Sequence, residues 1–271
     1  MAEDRSFWST LDRRYRLILC DLWGVVHDGY SLTPGAAERL RQWRSEGRFV
    51  LLITNAPRPR EAVERHLARL GLPRDAWDAI VTSGDAGIAA LKSLARNPGF
   101  LGTAADLEIL EGAGLKIAEG EGFSDLACTG LDERRPIVAD YAEDLERWAA
   151  RGVRMHCLNP DRVVIHGGEP MVCAGALADA YEAIGGAVTW YGKPHPPIYE
   201  HALQLAGNPA AKAVLAIGDG LQTDMLGAAR MGFDAVFVTG GINNGAGFPL
   251  DFAADNGLGD WHPVAVVDAL G

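Results

Sequence analysis

Apolar residues along this chain fall into two alternating patterns. Short continuous runs at Leu17 to Cys20, Phe49 to Ile53, Ala79 to Thr82, Val214 to Ile217 and Ala235 to Val238 read as strands buried on both faces. Between them, apolar positions recur at helical spacing. Pro34 to Glu46 places Ala36, Leu40 and Trp43 on one face and stops at Gly47, and Pro59 to Leu70 repeats the pattern through Val63, Leu67 and Leu70 before Gly71. Asp85 to Leu94, Pro197 to Ala206 and the region of Thr223 to Met231 continue it. Parallel neighbours need a crossover of about a dozen residues, so strands alternating with helices indicate a parallel sheet. The expected fold class is α/β with a doubly wound parallel sheet.

The rhythm breaks at Arg96-Asn97-Pro98-Gly99. From Phe100 to about Gly186 the elements shorten and glycine is frequent, as at Gly112, Gly114, Gly120, Gly122, Gly130, Gly152, Gly167 and Gly168. Within this stretch Pro136 opens a helix with Val138, Tyr141, Leu145 and Trp148 on one face, and Gly175 to Ile184 forms another. A strand at Val188 to Tyr191 then resumes the first pattern. The expectation is a core domain over 1–97 and 187–271 with residues 98–186 inserted as a second domain. The last stretch, with Asn243-Asn244-Gly245 and Pro249, reads as mostly irregular.

Composition narrows the partners. With 271 residues and 48% hydrophobic content the chain can bury a core, and its net charge of −11, without any lysine-arginine cluster, argues against nucleic acid or an anionic membrane. A small molecule or a protein remains as partner. Cys20, Cys128, Cys157 and Cys173 form no C-x-x-C pair, which suggests neither a zinc site nor a disulfide framework and fits a reducing cytoplasm. No run of about 18 apolar residues occurs and the N-terminal stretch is charged, so neither a membrane span nor a signal peptide is expected.

Candidate chemistry sits where the strands end. Asp21 follows Leu17 to Cys20, Thr54 follows Phe49 to Ile53, and Asp219 follows Val214 to Gly218; Lys193 follows Val188 to Tyr191 by the same logic. Side chains leaving one edge of a parallel sheet converge on one crevice. Asp21, Asp219 and Asp224 together would repel one another unless a cation sat among them, and Mg²⁺ takes such oxygen ligands. Three aspartates, one lysine and one Mg²⁺ sum to zero formal charge, which leaves room for an anion. Each residue also has a plainer reading. Asp224 stands where a helix cap would, Thr54-Asn55 and Gly218-Asp219-Gly220 suit turns, and Lys193 suits a solvated charge. Asp21 is the least ordinary, because an unpartnered carboxylate at the end of a buried strand is costly.

Jointly, Asp21-Leu22-Trp23-Gly24-Val25, Ile53-Thr54-Asn55, Gly192-Lys193-Pro194 and Gly218-Asp219 with Thr223-Asp224 resemble the four motifs of the haloacid dehalogenase (HAD) superfamily, over nearly the whole chain. An insert between the second and third motifs resembles its class II cap. Asn159-Pro160-Asp161, Gly175-Ala176-Leu177 and Gly192-Lys193-Pro194-His195-Pro196-Pro197-Ile198-Tyr199 look like the NagD-like branch, class IIA. The resemblance implies a Mg²⁺-dependent phosphatase of small phosphorylated metabolites such as sugar phosphates. In it Asp21 attacks phosphorus, water hydrolyses the aspartyl-phosphate, and Thr54, Asn55 and Lys193 hold the phosphoryl group. Asp21, Asp219 and the Trp23 backbone carbonyl would ligate the metal, with Asp224 behind them or acting through water.

One residue departs from the family pattern. Phosphatases of this family carry a second aspartate two positions after the nucleophile as proton shuttle, and this chain has Trp23, whose indole shuttles no proton. That help is typically worth about 10²- to 10⁴-fold. His27 and Asp28 are the nearest titratable substitutes, although Gly29 and Tyr30 equally suit a turn that Asp28 caps. In the insert, Asn159, Asp161 and Arg162 suit either substrate recognition by a cap or a turn after a strand. His156 and His166 flank that segment and read as surface residues, and His195 stands beside Lys193 without an assigned part. Trp23 also keeps open a catalytically weak relative that binds a phosphorylated metabolite or a partner protein. Carbon-halogen hydrolysis would leave Asp219 and Asp224 without purpose.

Overall fold

The computed structural model describes residues 7–166, 169–242 and 245–271; Gly167, Gly168, Asn243, Asn244 and the side chain of His166 lie outside it. Strands β1 (Leu17–Cys20), β2 (Phe49–Thr54) and β3 (Ala79–Thr82) alternate with helices α1 (Ala36–Ser45) and α2 (Arg60–Leu70), and α3 (Ser83–Lys92) follows β3. Apolar runs become strands and helically spaced ones become helices because each buries its apolar positions that way. Gly71 ends α2 with φ 89°, and the Thr82 hydroxyl caps α3 by accepting the Asp85 N–H.

The chain then builds β4 (Gly99–Leu101), α4 (Ala104–Gly112), β5 (Asp125–Cys128), α5 (Ala142–Ala150) and β6 (Arg154–Cys157). The hairpin β7 (Val163–His166) and β8 (Glu169–Val172) leads to α6 (Ala174–Ala183) and β9 (Ala187–Trp190). After these come α7 (Pro196–Leu205), β10 (Val214–Gly218), α8 (Leu226–Met231), β11 (Asp234–Val238), α9 (Phe252–Asp255) and β12 (Ala265–Val267).

Among the described residues the first sheet runs β12-β11-β10-β1-β2-β3, and all its pairs are parallel. The fold is thus the doubly wound α/β arrangement expected. Alternation along β1 divides the core. Ile18 and Cys20 pack with Leu40 and Trp43 of α1 and Leu67 of α2, whereas Leu17 and Leu19 pack with Ile198 and Ala202 of α7 and Ala228 of α8. Strand order reverses between β1 and β10, which opens a crevice at their carboxyl ends.

The second sheet, β4-β5-β6-β9, is also parallel and carries its own core of Leu126, Met155, Trp148, Leu177 and Tyr181. It corrects one expectation. The strand near Val188 pairs with β6 instead of returning to the first sheet, in register Met155 with Val188. By sheet membership the inserted lobe therefore runs past 187 to Trp190. Half-exposed β9, unlike the doubly buried strands of the first sheet, suits an edge.

Three smaller expectations also change. The helix from Pro136 divides into a tight turn at Val138–Tyr141 and α5. The helix near Thr223 begins as a π turn at Leu221–Met225, in which the Gly220 carbonyl accepts from both Asp224 and Met225. The C-terminal stretch contributes α9 and the edge strand β12, which pairs with β11. No helix among the described residues is long and apolar enough to cross a membrane.

Candidate active site

Asp21 stands at the first residue past β1, where its N–H donates to the Ile217 carbonyl of β10 at 2.9 Å. That bond holds it at the crevice where strand order reverses. Its Oδ1 lies 2.6 Å from Lys193 Nζ, and the same ammonium lies 2.8 Å from Asp224 Oδ1. All three side chains are buried. Lys193 does not leave a strand of the first sheet. It arrives from the inserted lobe, on the loop between β9 and α7, and is held there by Asn55. Asn55 Oδ1 accepts the Lys193 N–H at 2.7 Å, and Asn55 Nδ2 donates to the Lys193 carbonyl at 3.1 Å. Gly192 has φ 94°, and a Cβ on it would stand 2.4 Å from Asn55 Oδ1, so this clasp requires glycine.

Asp219 follows β10, next to β1 in the sheet. Its Oδ2 accepts the Ile242 N–H at 2.7 Å. A Cβ on Gly24 would fall 2.0 Å from that oxygen and one on Gly241 1.9 Å from it, so two glycines make room for the carboxylate. Gly241 and Ile242 carried no signal in the apolar pattern; the pair Gly240-Gly241 just after β11 is the hint that a backbone approach was required there. Asp224 combines both readings of its position. Its Oδ2 accepts the Gly220 N–H at 3.1 Å like a cap, while its Oδ1 pairs with Lys193.

Carboxylate oxygens of Asp21, Asp219 and Asp224 lie within 4.8 Å of one another. Burial, then the neighbouring Asp224, push the Asp21 carboxyl well up, against the pull of Lys193. Burial and Asp224 likewise push Asp219 up to about 7. Burial alone would discharge Lys193, but Asp21 and Asp224 hold its pKa well above the usual lysine value. Three carboxyls around one ammonium thus carry excess negative charge, which makes Asp21 and Asp219 hold their protons more tightly. A divalent cation with oxygen ligands would relieve that excess, and the donor set suits Mg²⁺.

Thr54 ends β2, buried beside β1, where Cys20 pairs with Leu52. Its Oγ1 accepts the Ala56 N–H at 3.2 Å, and among the described residues no acceptor takes its hydroxyl proton, which suits an anion. From the inserted lobe, Asp161 Oδ1 accepts from Asn55 Nδ2 at 2.9 Å. Asn159 Oδ1 receives the Asp161 N–H, and Arg162 pairs with Asp179 of α6 at 2.8 Å. Of these three, Asp161 reaches the cluster, whereas Asn159 and Arg162 brace the loop.

The remaining candidates lie apart. His27 is buried, its Nδ1 accepts the Gly29 N–H, and its ring meets those of Trp23 and His66 edge-on. Burial, with His66 beside it, lowers its pKa to about 4. Asp28 is exposed and caps a turn, accepting the Tyr30 and Ser31 N–H groups, which draw its pKa down. His156 is not a surface residue. It is buried between Tyr191 and Asp125, at 2.9 Å from each.

Comparison with known proteins follows the same lines. The family described as haloacid dehalogenase-like hydrolase matches residues 18–116, and the one described as HAD-hydrolase-like matches 190–270. A crystal structure of a haloacid dehalogenase-like hydrolase from Brucella suis 1330 is 35% identical, with TM-score 0.85, covering 97% of this chain and 98% of that one. The chain belongs to the haloacid dehalogenase-like hydrolases. Within that superfamily it falls in class IIA. The family member ribonucleotide monophosphatase NagD of Escherichia coli K12 is 29% identical over 84% of this chain and 88% of its own length. D-glycerol 3-phosphate phosphatase of Mycobacterium tuberculosis is 28% identical over 87% and 66%.

Proposed function

We propose that this hydrolase is a Mg²⁺-assisted phosphatase of small phosphorylated metabolites, sugar phosphates among them, with Asp21 as nucleophile. The observation that carries the reading is the buried cluster in which Lys193 bridges Asp21 and Asp224, next to Thr54 and Asn55. Asp21 would attack phosphorus, and Lys193 and the Thr54 hydroxyl would hold the phosphoryl oxygens as charge shifts onto them. The Asn55 side chain, expected to bind the phosphoryl group, has its oxygen and both amide hydrogens taken by Lys193 and Asp161 and would instead hold Lys193 in place. Asp21, Asp219 and the Trp23 carbonyl would hold the cation, with Asp224 supporting them, and bound Mg²⁺ would supply neutralising charge to the phosphoryl group. The inserted lobe meets the core through the Asp161 bond to Asn55 and through an ion pair of Arg58 with Asp106 on α4, at 2.7 Å.

Relatives named as phosphatases of a nucleotide and of a glycerol phosphate support the reaction class. Four buried, unpaired cysteines agree with a reducing cytoplasm. The test is a phosphate-release screen over sugar phosphates, nucleotides, glycerol phosphate and aryl phosphates, with and without Mg²⁺. Release should require Mg²⁺ and disappear in Asp21→Asn; activity surviving that change removes Asp21 from its role. The Trp23 indole favours a second reading, a weak catalyst that binds such esters. Mg²⁺-dependent binding without turnover across the whole panel would select it.

A further inference from the structure

If the chain is a phosphatase, it needs a group to protonate the leaving oxygen and later to deprotonate water, and Trp23 cannot serve. The core substitutes are committed elsewhere. His27 is buried with Nδ1 engaged by Gly29, and Asp28 is tied into its own exposed turn. His195 is half-buried, stacks on Trp190 at 5.7 Å, and faces the charges of Arg230, Arg162 and Glu182 instead of the carboxylates.

Asp161 differs from all of these. It enters from the inserted lobe onto Asn55, the residue that clasps Lys193, and Lys193, Asp224 and Asp219 all sense its charge. Only Oδ1 has a side-chain partner; among the described residues no hydrogen bond engages Oδ2. Its loop is built to present it. The Asp161 N–H is held by Asn159 Oδ1 at 3.2 Å, and its carbonyl accepts the Gly175 N–H at 3.0 Å. A Cβ on Gly175 would stand 2.3 Å from the Pro160 oxygen and 2.6 Å from that of Asp161, so α6 can seat against the loop only through glycine. Arg162 fastens the next residue to Asp179 through two bonds. Such bracing keeps a reacting side chain in one geometry.

We propose that Asp161, carried on the inserted lobe, is the general acid and base that replaces the missing aspartate at position 23. This inference rests on the phosphatase reading. As Asp21 bonds to phosphorus and the bond from phosphorus to the leaving oxygen breaks, the Asp161 proton passes to that oxygen. Asp161 is then a carboxylate. It takes a proton from the water whose oxygen attacks the aspartyl-phosphate, which frees Asp21 and releases inorganic phosphate. Burial raises the Asp161 pKa, while Lys193 and the Asn55 bond restrain the rise, which suits a group that must both give and take a proton.

Wild type, Asp161→Asn and Asp161→Glu are compared by rapid quench on p-nitrophenyl phosphate, whose leaving group departs as an anion, and on glycerol phosphate, whose alkoxide needs a proton. Asparagine retains an acceptor for Asn55, so the fold and the nucleophile should persist. In Asp161→Asn, turnover of glycerol phosphate should fall about 10²- to 10⁴-fold. With the aryl ester the variant should release one nitrophenolate per enzyme in a burst and then stall, because water is no longer activated. Asp161→Glu should recover alkyl turnover to within about tenfold of wild type. An equal loss on both esters without a burst, unchanged kinetics, or a glutamate variant no better than the asparagine one would overturn the assignment. Wild type inert toward both esters would instead overturn the phosphatase reading, and this inference with it.

Discussion

Replacing Lys193 with methionine keeps the side chain's length and removes its charge, a direct probe of the cluster. Its ammonium lies 2.6 Å from Asp21 and 2.8 Å from Asp224, with all three side chains buried. Removing one partner of a buried ion pair costs about 3–5 kcal/mol, because the other charge is left uncompensated. Proton uptake limits that cost, since burial and neighbouring charge already push Asp21 and Asp219 up. A carboxyl whose pKa is raised on folding binds more protons folded than unfolded, so its contribution is present at low pH and lost as pH rises toward the folded value. The penalty of Lys193→Met should therefore grow with pH, from about 3 kcal/mol at about pH 6 to about 5 kcal/mol at about pH 8.

With 271 residues at about 2.1 cal/mol/K each, the unfolding entropy is about 0.6 kcal/mol/K, so each kcal/mol shifts Tm by about 2 °C. Thermal unfolding in chelator should show Tm lowered by about 5 °C at about pH 6 and about 9 °C at about pH 8, with added Mg²⁺ recovering part of the loss. A Tm within about 1 °C of wild type at both pH values, or a loss independent of pH, would refute the electrostatic account.

Two further predictions concern the flanks of the site. Gly241→Ala puts a Cβ 1.9 Å from Asp219 Oδ2, so the carboxylate must move; the Mg²⁺ concentration for half-maximal activation should rise about 10- to 100-fold, and an unchanged titration would mean that Asp219 does not hold the cation. Burial and His66 lower His27 to about 4, against about 6.5 unfolded, so the unfolded chain binds more protons between those values. Stability should then decline by about 3 kcal/mol as pH falls from about 6.5 to about 4. His27→Gln should flatten that decline in urea midpoints, and a slope equal to wild type would assign the acid lability to other groups.

The sequence by itself determined the doubly wound sheet and the place of Asp21, Thr54 and Asp219 at the ends of its strands. A strand buried on both faces excludes polar side chains, so its first reactive residue must emerge at an end, and that rule is local. Tertiary structure decided the rest. Lys193 was legible as a residue but not in its route, because short, half-exposed β9 chooses its sheet by the neighbour it finds there. The π turn that brings Asp224 onto Lys193 depends on both termini of that contact being in place. Asp161 meets Asn55 across 106 residues, and Asp219 settles between Gly24 and Gly241. Periodicity reports which face of an element is buried; it carries no information on which distant backbone will approach, since that contact forms only when separate elements pack.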